Sequence, residues 1–179
     1  ARDAPPVALP VNAQPSAIYD ANGTLITVLA EENRQNVAFE QIPRSLQDAV
    51  VAIEDARFWT HNGVDPRAIL RAAGRNAEAG SVVEGGSTIT QQVAKLLCLG
   101  VPYNPSQWKS ESAYEEDCRS GGVWRKLKEI PFALAMEVKY SKAEILTIYF
   151  NRAYLGAGTR GFEAAAQRYF GKSAKDVST

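Results

Sequence analysis

Helix-start signals and glycine-rich breaks divide the sequence after residue 42 into a succession of short helical segments. Pro43 lies near the start of the first segment, in which apolar residues recur every three to four positions from Leu46 to Ile53. Asp65 and Pro66 provide a cap and a first helical position for the second segment. Because helices of this kind bury their apolar faces against one another, the sequence predicts a mainly α fold.

The later segments follow the same pattern, with one long interruption. Ser141 and Glu144 form a capping box at the start of one helix. Prolines and serines crowd residues 100–121, which predicts a long loop or insertion there. The expected helices after the first are 66–79, a third capped by Ser87 and running to about Leu99, about 123–140, 142–151 and 162–170.

Before the first helix, the sequence indicates a β-hairpin that follows a linker. β-rich residues flank Asn22 and Gly23, a dipeptide that tolerates the positive φ of a tight turn. Four of the nine prolines lie in the first fifteen residues, so we interpret residues 1–17 as a Pro-rich linker and 18–179 as one domain. A further capping pattern near residue 173 leads us to expect that the chain stops inside this domain.

Charge, hydropathy and cysteine spacing exclude several functions. Twenty basic and twenty acidic residues balance, so the charge does not predict nucleic-acid binding. No apolar run approaches the ~18 residues of a membrane-spanning helix. Cys98 and Cys118 are separated by nineteen residues, and with a single histidine they match no metal-ligand pattern. A disulfide between them and two free thiols both remain open at this point.

The segment GGSTITQQVAK at residues 85–95 places hydroxyls, amides and a lysine around a predicted helix start. Glycines let a backbone approach a ligand closely, and a helix N-terminus offers free N–H groups to an anion. The residue order does not match a Walker loop. A capped helix with a polar face and a phosphate-binding site are both consistent with this pattern. The candidate donors are Ser87, Thr88, Gln91, Gln92 and Lys95.

Two adjacent carboxylates, Glu54 and Asp55, end the first helix. A solvated acidic pair is the simpler interpretation. Because Glu54 follows the apolar Ala52 and Ile53, we expect it to lie against the edge of the core. Desolvation there would raise its pKa towards the range of a general base. The only histidine, His61, is expected to bond backbone groups at the helix end.

A second charged set comprises Arg125, Lys126 and Glu129. Arg125 and Glu129 are four residues apart, which predicts an exposed salt bridge on a helix. If the set instead faces a cleft shared with Glu54, that cleft contains two carboxylates and several cations. Such a combination suits transfer of a sugar from a diphosphate leaving group, because fixed positive charge stabilises the group that departs.

Five segments, in this order, resemble glycosyltransferase family 51, the peptidoglycan glycosyltransferases of class A penicillin-binding proteins and monofunctional transglycosylases. They are EDARFWTHNGVD (54–65), GGSTITQQVAK (85–95), RKLKE (125–129), KAEILTIYFN (142–151) and GFEAAAQRYFGK (161–172). The resemblance runs from the hairpin near Ile18 to Val177. It implies a mainly α, lysozyme-like glycosyltransferase domain with a short N-terminal β-hairpin.

The resemblance also implies roles for the candidate residues. Glu54 matches the catalytic glutamate, which takes the proton of the acceptor 4-hydroxyl as it attacks the donor MurNAc, with inversion and loss of the lipid diphosphate. Glu129 matches a second glutamate that helps order the donor site. The substrate-binding candidates are Asp55, Ser87, Thr88, Gln91, Gln92, Lys95, Arg125 and Lys126. The sequence itself requires no cofactor and predicts no metal site, although a divalent cation, Mg or Mn, assists some members.

The partners and the location follow from the same resemblance. They are lipid II, the growing glycan strand, the membrane surface and other cell-wall synthesis proteins. The location is the bacterial cell envelope, at the outer (periplasmic) face of the cytoplasmic membrane. We expect this chain to lack the membrane anchor and the transpeptidase domain that members of the family carry.

The sequence departs from the family pattern in one region, and two other functions stay open. Leu96 stands where the family usually has Asn, and the insertion over 96–124 contains both cysteines. A link between Cys98 and Cys118 would hold this insertion against the preceding helix. Members of the family often carry another arginine a few residues before the Arg-Lys pair. Arg119 is the nearest candidate here, but its position differs from that of the family arginine by two residues. The other functions are a lysozyme-like hydrolase or lytic transglycosylase, and a non-catalytic interaction domain of the same fold.

Overall fold

A computed structural model of the chain describes residues 16–29 and 33–177. The expected hairpin is confirmed: β1 (Ser16–Tyr19) pairs antiparallel with β2 (Leu25–Leu29). The carboxylate of Asp20 accepts hydrogen bonds from two backbone N–H groups of the turn, which tightens it. Most of the predicted linker, residues 1–15, lies outside the described residues.

Seven α-helices make up most of the described residues, which confirms the mainly α fold. They are α1 (Arg44–Glu54), α2 (Pro66–Ala79), α3 (Ile89–Leu96), α4 (Glu111–Arg119), α5 (Gly122–Lys139), α6 (Lys142–Arg152) and α7 (Phe162–Phe170). Two short strands, β3 (Asn33–Arg34) and β4 (Thr159–Arg160), pair in parallel. No helix within these described ranges is long and apolar enough to cross a membrane.

Helix boundaries with strong capping signals agree with the predictions. The side chain of Asp65 accepts a hydrogen bond from the backbone N–H of Ala68, and α2 ends where Gly80 adopts a φ of 64°. The capping box of Ser141 and Glu144 starts α6 as predicted. These signals succeed because each depends on contacts within a few residues of the chain.

The core is organised around α3. This helix packs against both α5 and α6. Ile89 and Val93 of α3 and Ile145 and Phe150 of α6 are completely buried in the same apolar cluster. Since α3 is enclosed by its neighbours, its N-terminal end is held in a defined position at the edge of the core.

The prediction of a long loop over 100–121 is wrong for its second half, which forms α4. The side chain of Ser110 caps this helix by accepting from the N–H of Ala113. The buried ring of Tyr114 packs edge-on against Trp108, with ring centroids 5.0 Å apart. Serine-rich composition predicted a loop, but contacts with distant residues supply stability that a short helix lacks alone. The hydroxyl of Tyr114 donates to the carbonyl of Val101, and Arg160 pairs with Glu115.

A disulfide joins Cys98, just after α3, to Cys118 in α4. The sequence left a disulfide and two free thiols open, and the structure contains the disulfide, which links the insertion to the end of α3. The bond spans 20 residues of sequence. Closing a loop of this size contributes about 3 kcal/mol to the free energy of unfolding.

Candidate active site

A cleft of about 830 Å³ opens beside the N-terminal end of α3. Its walls are formed by the end of α1 with the following turn (52–57), by α2, by the loop 83–87 and by α3. The predicted site residues along it are Glu54, Asp55, Ser87, Thr88, Gln92 and Lys95. The fold thus brings two of the predicted segments, 54–65 and 85–95, to one concave surface.

Glu54 is exposed, so the expectation that it lies against the core is wrong. The buried face of α1 is formed by Gln47, Val50 and Val51, which lie one to two turns before Glu54. The last turn of α1 extends beyond the core, and Ile53, with 82% of its surface exposed, lines the cleft beside Glu54. An oxygen of Glu54, Oε2, accepts a hydrogen bond of 2.9 Å from Nε2 of Gln92. Glu54 is therefore oriented by α3 and faces solvent in the cleft.

Asp55, in contrast, is buried and serves as an anchor. Its carboxylate accepts from the backbone N–H of Ile89 at 3.0 Å and contacts Nε2 of His61 at 2.8 Å. His61 was expected to bond backbone groups, and Nδ1 does accept from the N–H of Gly63 at 3.1 Å. This assigns the ring proton to Nε2, which donates it to Asp55. Asp55 thus fastens the turn after α1 to the start of α3, and its oxygens are occupied.

Thr88 and Gln91, two of the predicted substrate-binding residues, cap the N-terminal end of α3. Thr88, not Ser87 as predicted, is the N-cap, and it forms a capping box with Gln91. The hydroxyl of Thr88 also donates to the carbonyl of Gly63 at 2.6 Å. Both side chains are buried, and Gln91 does not line the cleft. We therefore correct the role predicted for Gln91 from substrate contact to helix capping.

One of the two glycines before α3, Gly86, is required by its close contact with α2. A Cβ at Gly86 would lie 2.9 Å from the Cα of Ile69 in α2. A side chain is therefore excluded where the loop 83–87 crosses α2. This close approach brings the loop and α2 together as two walls of the cleft.

Glu129 is almost completely buried, with 1% of its side chain exposed, so the predicted exposed salt bridge is wrong. Both Arg125 and Lys126 pair with it, and Nζ of Lys126 lies 2.6 Å from Oε2. The four-residue spacing identified the pair correctly, but the packing of α5 on α3 decided its burial. Lys126 also donates to the hydroxyl of Ser87, which connects this charged cluster to the cleft.

Lys95 lies where the cleft meets this cluster. Burial lowers the pKa of its ammonium, and the nearby cations Arg125, Lys126 and Arg119 lower the pKa further, while Glu129 opposes them. Within residues 16–29 and 33–177, the ammonium makes no hydrogen bond or ion pair. A partly buried ammonium group beside other cations is a favourable place for an anionic ligand.

Three arginines of the cleft were not predicted from the sequence. Arg57 pairs with Asp65 at the cap of α2, and this hydrogen bond holds the pKa of Asp65 below its usual value. Arg71 and Arg75 of α2 both pair with Glu84, at 2.6 and 3.2 Å. The spacing of Arg71 and Arg75, one turn apart on a helix, is a signal that could have identified them.

The cleft does not provide a separate metal site among the described residues. No group of three or more His, Cys, Asp and Glu side chains in residues 16–29 and 33–177 could hold a metal ion. The carboxylates of Asp55 and Asp65, which line the cleft, are already bonded to His61 and Arg57. Assistance by Mg or Mn stays a prediction.

Comparison with known proteins gives a consistent set of relatives. Residues 22–179 match the family model described as Transglycosylase. The chain is 42% identical over 165 residues to penicillin-binding protein 1A of Aquifex aeolicus, covering 92% of this chain and 20% of that protein. It is 38% identical over 163 residues to penicillin-binding protein 1F of Bacillus subtilis, covering 91% of this chain and 20% of that protein. It is 40% identical over 163 residues to penicillin-binding protein 1A of Streptococcus oralis, covering 91% of this chain and 23% of that protein. This chain spans about a fifth of the length of these relatives.

Proposed function

This chain belongs to the transglycosylase family of peptidoglycan glycosyltransferases, and on that premise we propose that it polymerises lipid II into glycan strands. The observation that carries the proposal is that one cleft contains both a solvent-facing glutamate and a partly buried lysine with several cations near it. Glu54 supplies a base, and Lys95 supplies positive charge for a leaving group.

In the proposed reaction, Glu54 takes the proton from the 4-hydroxyl of the acceptor GlcNAc. The oxygen forms a bond to C1 of the donor MurNAc, and the bond from C1 to the diphosphate oxygen breaks. The electron pair of that bond leaves with undecaprenyl diphosphate. A single displacement inverts the configuration at C1, so an α-linked donor yields a β-1,4 bond. The hydrogen bond from Gln92 supports this role because it limits the rotamers of the Glu54 carboxylate.

The cations beside the cleft stabilise the departing diphosphate. Lys95 regains favourable electrostatic energy when an anion lies beside it, because its own neighbours are mostly cations. Lys126 reaches the same region through its contact with Ser87. Glu129 would position Arg125 and Lys126 rather than act as the base, since its carboxylate is buried between them.

The proposed surroundings are those of the bacterial cell envelope. A substrate with an undecaprenyl chain stays in the bilayer, so the cleft would act at a membrane surface. The family membership supports the outer, periplasmic face of the cytoplasmic membrane as that surface. The partners proposed on this basis are lipid II, the growing glycan strand, the membrane surface and other cell-wall synthesis proteins.

Incubation with labelled lipid II in detergent, with gel separation of the products, tests this function. We expect a ladder of glycan strands. Release of muropeptides from purified sacculi, with no ladder from lipid II, would replace the proposal by a hydrolase or lytic transglycosylase. Binding of lipid II without either product would identify a non-catalytic domain.

The pH dependence of diphosphate binding should report on Lys95. Since burial and neighbouring cations lower the pKa of Lys95 below 10.5, its positive charge is lost at a lower pH than that of an exposed lysine. We expect the affinity for inorganic pyrophosphate to be highest below that lowered pKa and to fall as the pH rises through it. Isothermal titration calorimetry over a pH series measures this.

The Lys95→Arg variant is the matched control, because arginine keeps its charge throughout this range. Its affinity should decline only at higher pH. Equal declines for the wild type and for Lys95→Arg would show that Lys95 does not contact the diphosphate.

A further inference from the structure

The disulfide between Cys98 and Cys118 lies in the immediate surroundings of the cleft. Lys95, which lines the cleft, also lines a second, small space together with Cys98. The volume of this space is about 10 Å³, too small for a ligand larger than one water molecule. The side chains around it therefore pack against Lys95 and leave no room there for a substrate group.

Helix α4 covers Lys95 from the side of this small space. Glu115 and Arg119 of α4 line the space and pair with each other at 2.6 Å. The carboxylate of Glu115 also pairs with Arg160 of β4. Because α4 packs against α3 here, it excludes water from part of the Lys95 side chain, and this burial is the largest cause of the lowered pKa of its ammonium.

The turn that contains Cys98 has a left-handed backbone at residues that rarely adopt it. Cys98 and Leu99 have φ values of 51° and 52°, and Gly100 follows at 76°. For residues with a Cβ this conformation is unfavourable, so it persists only where surrounding contacts enforce it. A Cβ at Gly100 would lie 2.8 Å from the ring of Phe132, which shows how closely the turn packs on α5. At Cys98 the restraint is the covalent bond to α4.

We propose that the Cys98–Cys118 disulfide holds α4 over Lys95, so that reduction of this bond weakens diphosphate binding in the cleft. The inference deepens the proposed function, on which it rests for the assignment of Lys95 to the diphosphate. With the bond broken, the turn after α3 relaxes and α4 loses its covalent attachment beside Lys95. Water then reaches the ammonium, and its attraction for an anion falls because the effective dielectric constant rises.

The reductant is a dithiol, and the accessible sulfur is that of Cys118. Cys98 is 6% exposed, whereas Cys118 is only partly buried. A thiolate of the dithiol attacks Sγ of Cys118, the bond between the two Sγ atoms breaks, and Cys98 leaves as a thiolate that takes up a proton. The second thiol of the reductant then displaces Cys118. The reductant ends as a disulfide and both cysteines end as thiols.

Isothermal titration calorimetry with inorganic pyrophosphate tests the inference without depending on catalysis. The oxidised wild type is compared with the same protein treated with dithiothreitol and with Cys98→Ser/Cys118→Ser, below the unfolding temperature of each. Both altered proteins should bind pyrophosphate at least about fivefold more weakly, because a hydrated ammonium attracts an anion less strongly. Removal of dithiothreitol and reoxidation of the wild type should restore the affinity.

The pH dependence of this affinity gives a second readout, specific to Lys95. Charged side chains from four elements lie near Lys95: Glu115 and Arg119 of α4, Arg125, Lys126 and Glu129 of α5, Arg152 of α6, and Arg160 of β4. Without α4 in place, burial and Arg119 lower the pKa of Lys95 less, so its charge persists to a higher pH. The fall in affinity should therefore move to higher pH in Cys98→Ser/Cys118→Ser. Removing the disulfide from Lys95→Arg should cause no such shift.

The matched control for stability is Phe162→Leu. Phe162 of α7 packs against Phe150 with ring centroids 4.5 Å apart, so its replacement destabilises the core. It lines neither the cleft nor the small space beside Lys95. This variant should bind pyrophosphate like the oxidised wild type, although it unfolds at a lower temperature.

Four results would overturn the inference. They are equal pyrophosphate affinity with and without the disulfide, no pyrophosphate binding by the oxidised wild type, a bond that dithiothreitol does not break in the folded protein, and complete unfolding on reduction. In the last case the bond maintains the whole fold rather than the surroundings of Lys95. A redox-dependent pyrophosphate affinity without a glycan ladder from lipid II would reject the proposed function and leave the effect of the disulfide on anion binding standing.

Discussion

Glu54→Gln should reduce glycan polymerisation by about 10²- to 10⁴-fold, the contribution of a positioned general base. Glutamine keeps the size of the side chain and can still bond Gln92, so the geometry of the cleft should persist. The amide cannot accept the proton of the attacking hydroxyl. The measurement is the rate of glycan-strand formation from lipid II, with the affinity for lipid II determined separately.

The matched control is Glu78→Gln. Glu78 is an exposed glutamate of α2 that does not line the cleft, and its variant should polymerise at the wild-type rate. Because Glu54 is exposed at the helix end, its variant should also unfold at the wild-type denaturant concentration. A Glu54→Gln protein with more than a tenth of the wild-type rate would show that another group is the base.

Glu129→Gln should lower both stability and polymerisation. The substitution removes the charge that the cations Arg125 and Lys126 share in a buried position. Removing one partner of a buried ion pair costs about 3–5 kcal/mol. The cations themselves are partly exposed, at 22% and 44%, so we expect a loss near the lower limit, about 3 kcal/mol. Urea denaturation at neutral pH measures the free energy of unfolding.

Glu116→Gln provides the comparison, because Glu116 is an exposed glutamate of α4 and its loss should change the free energy of unfolding by less than about 0.5 kcal/mol. Polymerisation by Glu129→Gln should be assayed well below its unfolding temperature, so that a slower rate reflects displaced Arg125 and Lys126. A variant as stable and as active as the wild type would mean that the buried charge has neither role.

The elements that could be predicted are those whose signals lie within a few residues. The hairpin at Asn22–Gly23, α2 with its Asp65 cap, and α6 with its capping box all agree with their predictions. Local hydrogen bonds form in the same way whatever the rest of the chain does. α4 was missed although Ser110 is a local capping signal, because its other stabilising contacts are with distant residues. These are the disulfide to Cys98 and the hydrogen bond from Tyr114 to the carbonyl of Val101.

In the candidate site, too, the sequence predicted which residues are present, whereas tertiary contacts decided which side chains are buried. The sequence indicated that two adjacent carboxylates end α1 and predicted that Glu54 lies against the core. In the structure, Asp55 is buried and Glu54 is exposed. Asp55 follows the last helical residue and has an extended φ of −161°, so its side chain leaves the helical pattern and reaches the backbone N–H of Ile89. Gln91 and Gln92 are likewise adjacent, and one caps α3 while the other binds Glu54.

The sequence by itself determined the mainly α fold, the family and the set of polar groups available to the cleft, because motif order and helix capping are properties of the chain. Only the tertiary structure decided which of those groups face solvent. Packing of α3 against α5 buries Glu129 between its cations and partly buries Lys95. Glu54 stays exposed because the last turn of α1 extends beyond the core. Burial and electrostatic environment arise from contacts between distant segments, and a linear pattern does not specify them.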